Sequence, residues 1–227
     1  IVLAMPKARA AKYKSPKDLR GLKIGVTAPG SSTNMFVSNL LAKVGLHDED
    51  VSIIGVGTGA GAIAAITRGD IDALANLDPV ISRLEASGAI VAVVDTRTNK
   101  GAMYVYGGAY HASCLYASEE FIAKNPNTVQ AVVNAMVRTL RWLQKAKPEQ
   151  IVDTVPPEYY GEDKAGYLAA LKKNLGTMSP DGVLSAEGAR NVYEVLRSFE
   201  PTLKGVNVDL HKTIDARFVT KALAKYR

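Results

Sequence analysis

Between residues 24 and 94, four short apolar runs (24–28, 51–56, 71–75 and 90–94) alternate with segments whose apolar residues recur at helical spacing. No other feature restricts the fold as much. Runs of five or six residues suit strands, and strands separated by helices return parallel to one another, so a parallel sheet with helices packed on it is expected. Phe36, Val37, Leu40, Leu41 and Val44 carry the 3/4 spacing of a helix over 33–44, and two more helices are expected over 60–68 and 79–87. Gly45, Gly69 and Gly88 each fall just past one of these helices, where a left-handed residue ends a helix. The block from about 17 to 100 reads as a compact α/β lobe.

The first strand breaks at Pro29-Gly30 into Ser31, Ser32 and Thr33, which open the first helix. Unpaired N–H groups and the positive end of the helix dipole then face whatever lies beyond the strand's carboxyl end, so a carboxylate, sulfonate or nitrate can be held there without a charged side chain. The competing reading is that Ser31 or Ser32 simply caps the helix.

Gly55-Val56-Gly57-Thr58-Gly59-Ala60-Gly61 also joins a strand to a helix and has Asp78 about 20 residues on, as a dinucleotide loop does. Neither register completes G-x-G-x-x-G, because Ala60 or Ala62 takes the last place, and there is no P-loop lysine. A glycine loop bringing backbone N–H groups and the Thr58 hydroxyl to a small ligand is preferred. In Asn76-Leu77-Asp78-Pro79, Asn76 offers both donor and acceptor. Asp78 is either the cap of the helix begun by Pro79 or a ligand contact, with the cap the better fit.

After Gly101 the pattern becomes mostly helical. Residues 114–117 can form one strand, Ser118 caps a short helix, and Asn125-Pro126 opens a longer one. On the longer helix Val129, Val132, Val133, Met136, Val137, Leu140 and Leu143 make an apolar stripe that reads as a core contact. Further helices are expected around Leu168, Leu171 and Leu175, and after Ser185. Residues 1–5 form an isolated apolar strand whose partners are expected upstream of residue 1.

The 227 residues are 47% hydrophobic and 22% charged, enough for one large domain or two small ones. No apolar run approaches the roughly 20 residues that span a bilayer. The opening Ile-Val-Leu-Ala-Met-Pro-Lys lacks the signal-peptide pattern, so an exported form has lost its signal. The net charge of +6 is spread among helices, which fits solvated surface better than a nucleic-acid face. Cys114 is the single cysteine, so no internal disulfide or Cys-pair metal site is expected; its apolar setting beside Leu115 suggests a buried thiol. His47, His111 and His211 stand far apart with no carboxylate at metal-ligand spacing, and no G-x-S-x-G elbow occurs. Neither a metal, a cofactor nor a catalytic constellation is expected. His111 follows Gly107-Gly108-Ala109-Tyr110, a flexible stretch at the lobe junction.

Ser15-Pro16-Lys17-Asp18-Leu19-Arg20-Gly21-Leu22-Lys23-Ile24-Gly25-Val26 resembles the opening of the second lobe in periplasmic substrate-binding proteins of ABC importers. Gly30-Ser31-Ser32-Thr33, Arg68-Gly69-Asp70-Ile71-Asp72-Ala73 and Asp78-Pro79 are similar to the Gly-Ser turn, the strand and the following turn of the nitrate/sulfonate/taurine branch. Leu115-Tyr116-Ala117-Ser118-Glu119-Glu120-Phe121-Ile122, Asn125-Pro126 and the helix to Trp142-Leu143 resemble that branch's return into the first lobe, and Phe218-Val219-Thr220-Lys221-Ala222-Leu223 its terminal helix. The resemblance runs in order along nearly the whole chain. It departs in lacking the early first-lobe strands and in placing Asn76-Leu77 where the family often has an aromatic residue.

This resemblance implies an α/β, two-lobe, type II periplasmic-binding-protein-like fold. Residues 15–104 would form the complete second lobe, and 1–14 with 105–227 a partial first lobe. It implies a periplasmic, monomeric protein that captures a small anionic or polar solute between its lobes and delivers it to the transmembrane subunits of an ABC permease. Ser31, Ser32 and Thr33 would bind the anionic end, Thr58, Asn76 and Asp78 would orient the solute, and Tyr110 would cover it. Two alternatives share the fold: a pyrimidine-synthesising enzyme of thiamin metabolism, whose Cys-rich motif and clustered histidines are absent, and the effector domain of a transcription regulator.

Overall fold

The computed structural model describes residues 1–226. Five strands form one mixed sheet: β1 (Val2–Met5), β2 (Lys23–Val26), β3 (Ser52–Gly55), β4 (Ala73–Asn76) and β5 (Val91–Asp95), in the order β3-β2-β4-β1-β5. Strand β2 runs parallel to β3 and β4, whereas β1 is antiparallel to both β4 and β5. The helices are α1 (Lys7–Ala10), α2 (Ser32–Ala42), α3 (Ala60–Arg68), α4 (Val80–Ala86), α5 (Asn99–Tyr106), α6 (Glu119–Lys124), α7 (Pro126–Leu143), α8 (Pro148–Thr154), α9 (Lys164–Asn174), α10 (Ala186–Phe199) and α11 (Arg217–Lys225).

The sheet is covered on both faces, which is why its strands read as continuous apolar runs. Leu3, Met5, Ile24, Val26, Ala73 and Ala75 face one buried cluster with Phe36, Val37, Leu40 and Leu41 of α2, while Val2, Ala4 and Leu74 face the other with Ala65, Ile66, Ile81 and Leu84. Residue Gly25 turns toward the second cluster, where an added Cβ would lie 2.4 Å from the Ile71 side chain. The three glycines expected to end helices all have positive φ, and Gly69 is the C-cap of α3.

Strand β1 corrects two expectations. Its partners lie downstream within this chain: Val2 pairs with Asn76 on one side and with Asp95 on the other. Residues 1–5 therefore belong to the sheet of the 15–104 block and not to a separate first lobe. The local pattern showed a strand, but its pairing is with residues 70 or more positions away, beyond the reach of any local signal.

Beyond α5 the elements are helical. Helix α10 packs on α2 and α5, α9 packs on α4, and α7 packs on α11 and α6. Two expectations fail in this part. Residues 114–117 form no strand, and Cys114 is exposed along with Leu115 and Tyr116. The apolar stripe of α7 is not a closed core contact either. Val137 alone is buried, and Val132 and Met136 are 42% and 48% exposed, because α11 covers only one side of the helix.

Candidate functional site

Strands β2 and β4 end side by side, and antiparallel β1 begins at the same edge, so their turns converge at the carboxyl end of the parallel strands. Open α/β sheets place ligands there. In the turn after β2 the Ser31 N–H donates to the Ala28 carbonyl at 3.1 Å and the Gly30 N–H to Asn34 Oδ1 at 2.9 Å. This geometry sets Ser31 as the N-cap of α2, with its Oγ accepting the Asn34 N–H at 3.4 Å.

The Ser31 hydroxyl does more than cap. Thr27 Oγ1 donates to Ser31 Oγ at 2.9 Å, the Ser31 and Thr33 hydroxyls lie 2.8 Å apart, and Thr27 and Thr33 hydroxyls 2.9 Å apart. The Thr27 N–H also donates to Thr33 Oγ1 at 2.9 Å. The three hydroxyls thus close a ring with Thr33 fully buried, while Ser32 is exposed. Among the described residues the Ser32 and Thr33 N–H groups find no acceptor. The Ser32 N–H, on an exposed residue at the positive end of α2, is what the turn presents to an anion, while that of Thr33 lies beneath the surface.

Asn76 is fully buried, and its Nδ2 donates to the Gly57 carbonyl at 2.9 Å while its Oδ1 accepts the Leu77 N–H at 2.8 Å. The Gly57 N–H in turn donates to the Thr27 carbonyl at 3.1 Å. Three turns, after β2, β3 and β4, are thereby tied at one place. Thr58 is exposed on the middle turn, and Leu77, 40% exposed, adds an apolar surface beside Asn76.

Asp78 faces elsewhere. Its Oδ1 accepts the Ser82 N–H at 2.8 Å, in the manner of a cap to α4, and its Oδ2 accepts from Asn174 Nδ2 at 2.6 Å and Arg97 Nη1 at 3.2 Å. The Arg97 side chain is only 8% exposed and also pairs with Asp95 and Glu85 at 2.7 and 2.9 Å. Burial raises the Asp78 carboxyl, but bonds from Ser82 and Asn174 and the Arg97 guanidinium outweigh it and leave the pKa below the usual value. With both oxygens engaged inside the protein, Asp78 shapes the turn through α4, α9 and Arg97.

Tyr110 stacks on Tyr106 with ring centroids 3.9 Å apart and an interplanar angle of 13°. Tyr106 is buried in the cluster that holds Leu3, Val94 and the apolar face of α2, and Tyr110 packs against that cluster. Burial raises the pKa of both phenols.

The structure therefore gathers Ser31, Ser32, Thr33, Thr58 and Asn76 around linked turns, stacks Tyr110 on Tyr106, and turns Asp78 inward. Sequence reasoning missed Thr27, Tyr106, Arg97 and Asn174. Thr27 had a readable signal, a hydroxyl ending a strand two residues before Pro29-Gly30. Asn174 had none, since Asp78 lies 96 residues away. Among the described residues no group of three or more His, Cys, Asp or Glu could hold a metal ion, and no helix is long and apolar enough to cross a membrane.

The model of the NMT1-like family matches residues 3–155. The chain is similar to a protein of Bordetella bronchiseptica RB50, at 47% identity and a TM-score of 0.91, covering 99% of this chain and 71% of that one. A periplasmic sulfonate-binding protein SsuA, assigned to a sulfonate ABC transporter of Methylobacillus flagellatus KT, superposes with a TM-score of 0.68 at 23% identity, covering 99% of this chain and 66% of that one. The desulfurization enzyme DSZB superposes with a TM-score of 0.59 at 16% identity, covering 100% of this chain and 76% of that one. No curated protein matches. The α/β fold is that of SsuA-like periplasmic binding proteins.

Proposed function

The chain belongs to the NMT1-like family, and from that membership we propose that it serves as the solute-binding component of an ABC import system, taking a small oxyanion or polar solute at the carboxyl edge of its sheet. The observation that carries the reading is the acceptor-free N–H of exposed Ser32 at the start of α2, in a turn held by the Thr27–Ser31–Thr33 hydroxyl ring. Preorganised donors at a helix N-terminus favour an anion without a counter-charge. Thr58 orients the solute, buried Asn76 ties together the turns that receive it, Tyr110 covers it, and the helices after α5 contribute to the other lobe, which closes over it. The protein acts as a monomer in the periplasm and presents its closed form to the permease subunits. It performs no chemistry on the solute.

Isothermal titration of the full-length protein with nitrate, sulfate, taurine, methanesulfonate and benzoate tests this. Saturable one-to-one binding of at least one, weakened by Ser32→Ala and followed by no new product on chromatography, is expected. Binding of none, or a product that accumulates in proportion to protein, overturns it. Product formation is the outcome that the shared fold with DSZB makes worth measuring.

A further inference from the structure

His111 lies against the start of α10. Its Nε2 accepts the Ser185 N–H at 3.1 Å and is 3.5 Å from Ser185 Oγ, which caps α10 by accepting the Gly188 N–H at 3.0 Å. The imidazole rests over the Gly188 α-carbon so closely that a Cβ there would be 2.2 Å from Nε2 and 2.6 Å from both neighbouring ring carbons. Two residues earlier, the Ala109 carbonyl accepts from Asn191 Nδ2 on the same helix at 2.8 Å. Tyr110 is thus bracketed by two attachments to α10. The far half of α10 is tied to the body of α2: Ser198 Oγ donates to Asn39 Oδ1 of α2 at 3.3 Å, and Asn39 Nδ2 donates to the Val105 carbonyl of α5 at 2.9 Å.

We infer that Gly188, His111 and Asn191 form a clamp that positions Tyr110, so that α10 holds the aromatic cover in register with the helix whose N-terminus receives the anion. Gly188 is a glycine because the imidazole needs the space, and His111 is a positioning residue that reaches the site only through its neighbour. The bearing of the clamp on solute capture rests on the proposed function. The clamp itself is read without any solute.

The test uses full-length protein labelled with 3-fluorotyrosine, in which Tyr106→Phe and Tyr110→Phe identify the two stacked rings by ¹⁹F NMR. Gly188→Ala is expected to move the Tyr110 resonance out of its ring-current position, and His111→Ala to move it the same way. Adding Gly188→Ala to His111→Ala should then move it no further, since the clash is gone. A glycine with only a helical role predicts the opposite, because alanine favours helix: a higher melting temperature with the Tyr110 resonance unmoved. That outcome, or additive shifts from the two substitutions, overturns the clamp. Failure of every solute to bind overturns the proposed function and leaves this result standing.

Discussion

Asn76 Nδ2 donates to the Gly57 carbonyl across a 2.9 Å hydrogen bond, from a side chain that solvent does not reach. One buried amide thereby joins the turn after β4 to the turn after β3, and the Gly57 N–H carries the link on to Thr27. That chain of bonds ties together the three turns at this edge.

Replacing Asn76 with Ala leaves the Gly57 carbonyl and the Leu77 N–H short of their partners. A buried group stripped of its partner costs about 1–3 kcal/mol. Urea denaturation of Asn76→Ala should show that loss with an unchanged m-value, and faster amide exchange at Gly57 should locate it.

Ser32 and Thr33 should part company. Thr33→Val preserves shape but leaves the Thr27 N–H without its acceptor, so a stability loss of about 1–3 kcal/mol is expected. Ser32→Ala removes an exposed hydroxyl and should change stability by less than about 0.5 kcal/mol, while weakening binding of whichever oxyanion the titrations identify. Thermal melting and calorimetric titration of both variants check the pair.

Arg97→Met should be among the more damaging single changes. It removes the cation from Asp78, Asp95 and Glu85, whose side chains are all under a third exposed. Breaking a buried ionic cluster from one side costs about 3 kcal/mol or more. The triple change that also converts Asp78 to Asn and Glu85 to Gln should recover part of the loss, a coupling that denaturation of the series measures.

The same cluster sets an acid limit. Burial works against the Asp78, Asp95 and Glu85 carboxylates, yet Arg97 and the hydrogen bonds hold each pKa below its ordinary value. Groups depressed by folding stabilise the protein fully above their unfolded values of about 4, and that stability drains away as pH falls through the lower folded values. Melting temperature should therefore drop below about pH 4, and Asp78→Asn should flatten part of that limb.

The alternation of strand and helix from 24 to 94 was legible because each element's buried face recurs at its own period, and the helix-ending glycines agreed with it. Helix α3 was expected over 60–68 and occupies Ala60–Arg68. The serine-threonine turn was legible too, as a strand end, a Pro-Gly break and a row of hydroxyls in nine consecutive residues. Its inner working was not, since Thr33 turned out to close a ring with Thr27 instead of facing outward.

What the sequence by itself determined, then, is the set of elements and the serine-threonine turn at a helix N-terminus, because both arise from interactions within a few residues. Tertiary structure alone decided that β1 pairs between β4 and β5, that Asp78 turns inward to Arg97 and Asn174, and that His111 rests on Gly188. Each of these joins residues 19 to 96 positions apart. Their energy comes from desolvated hydrogen bonds, ion pairs and close packing that exist only once the chain has brought them together, so no local pattern records them.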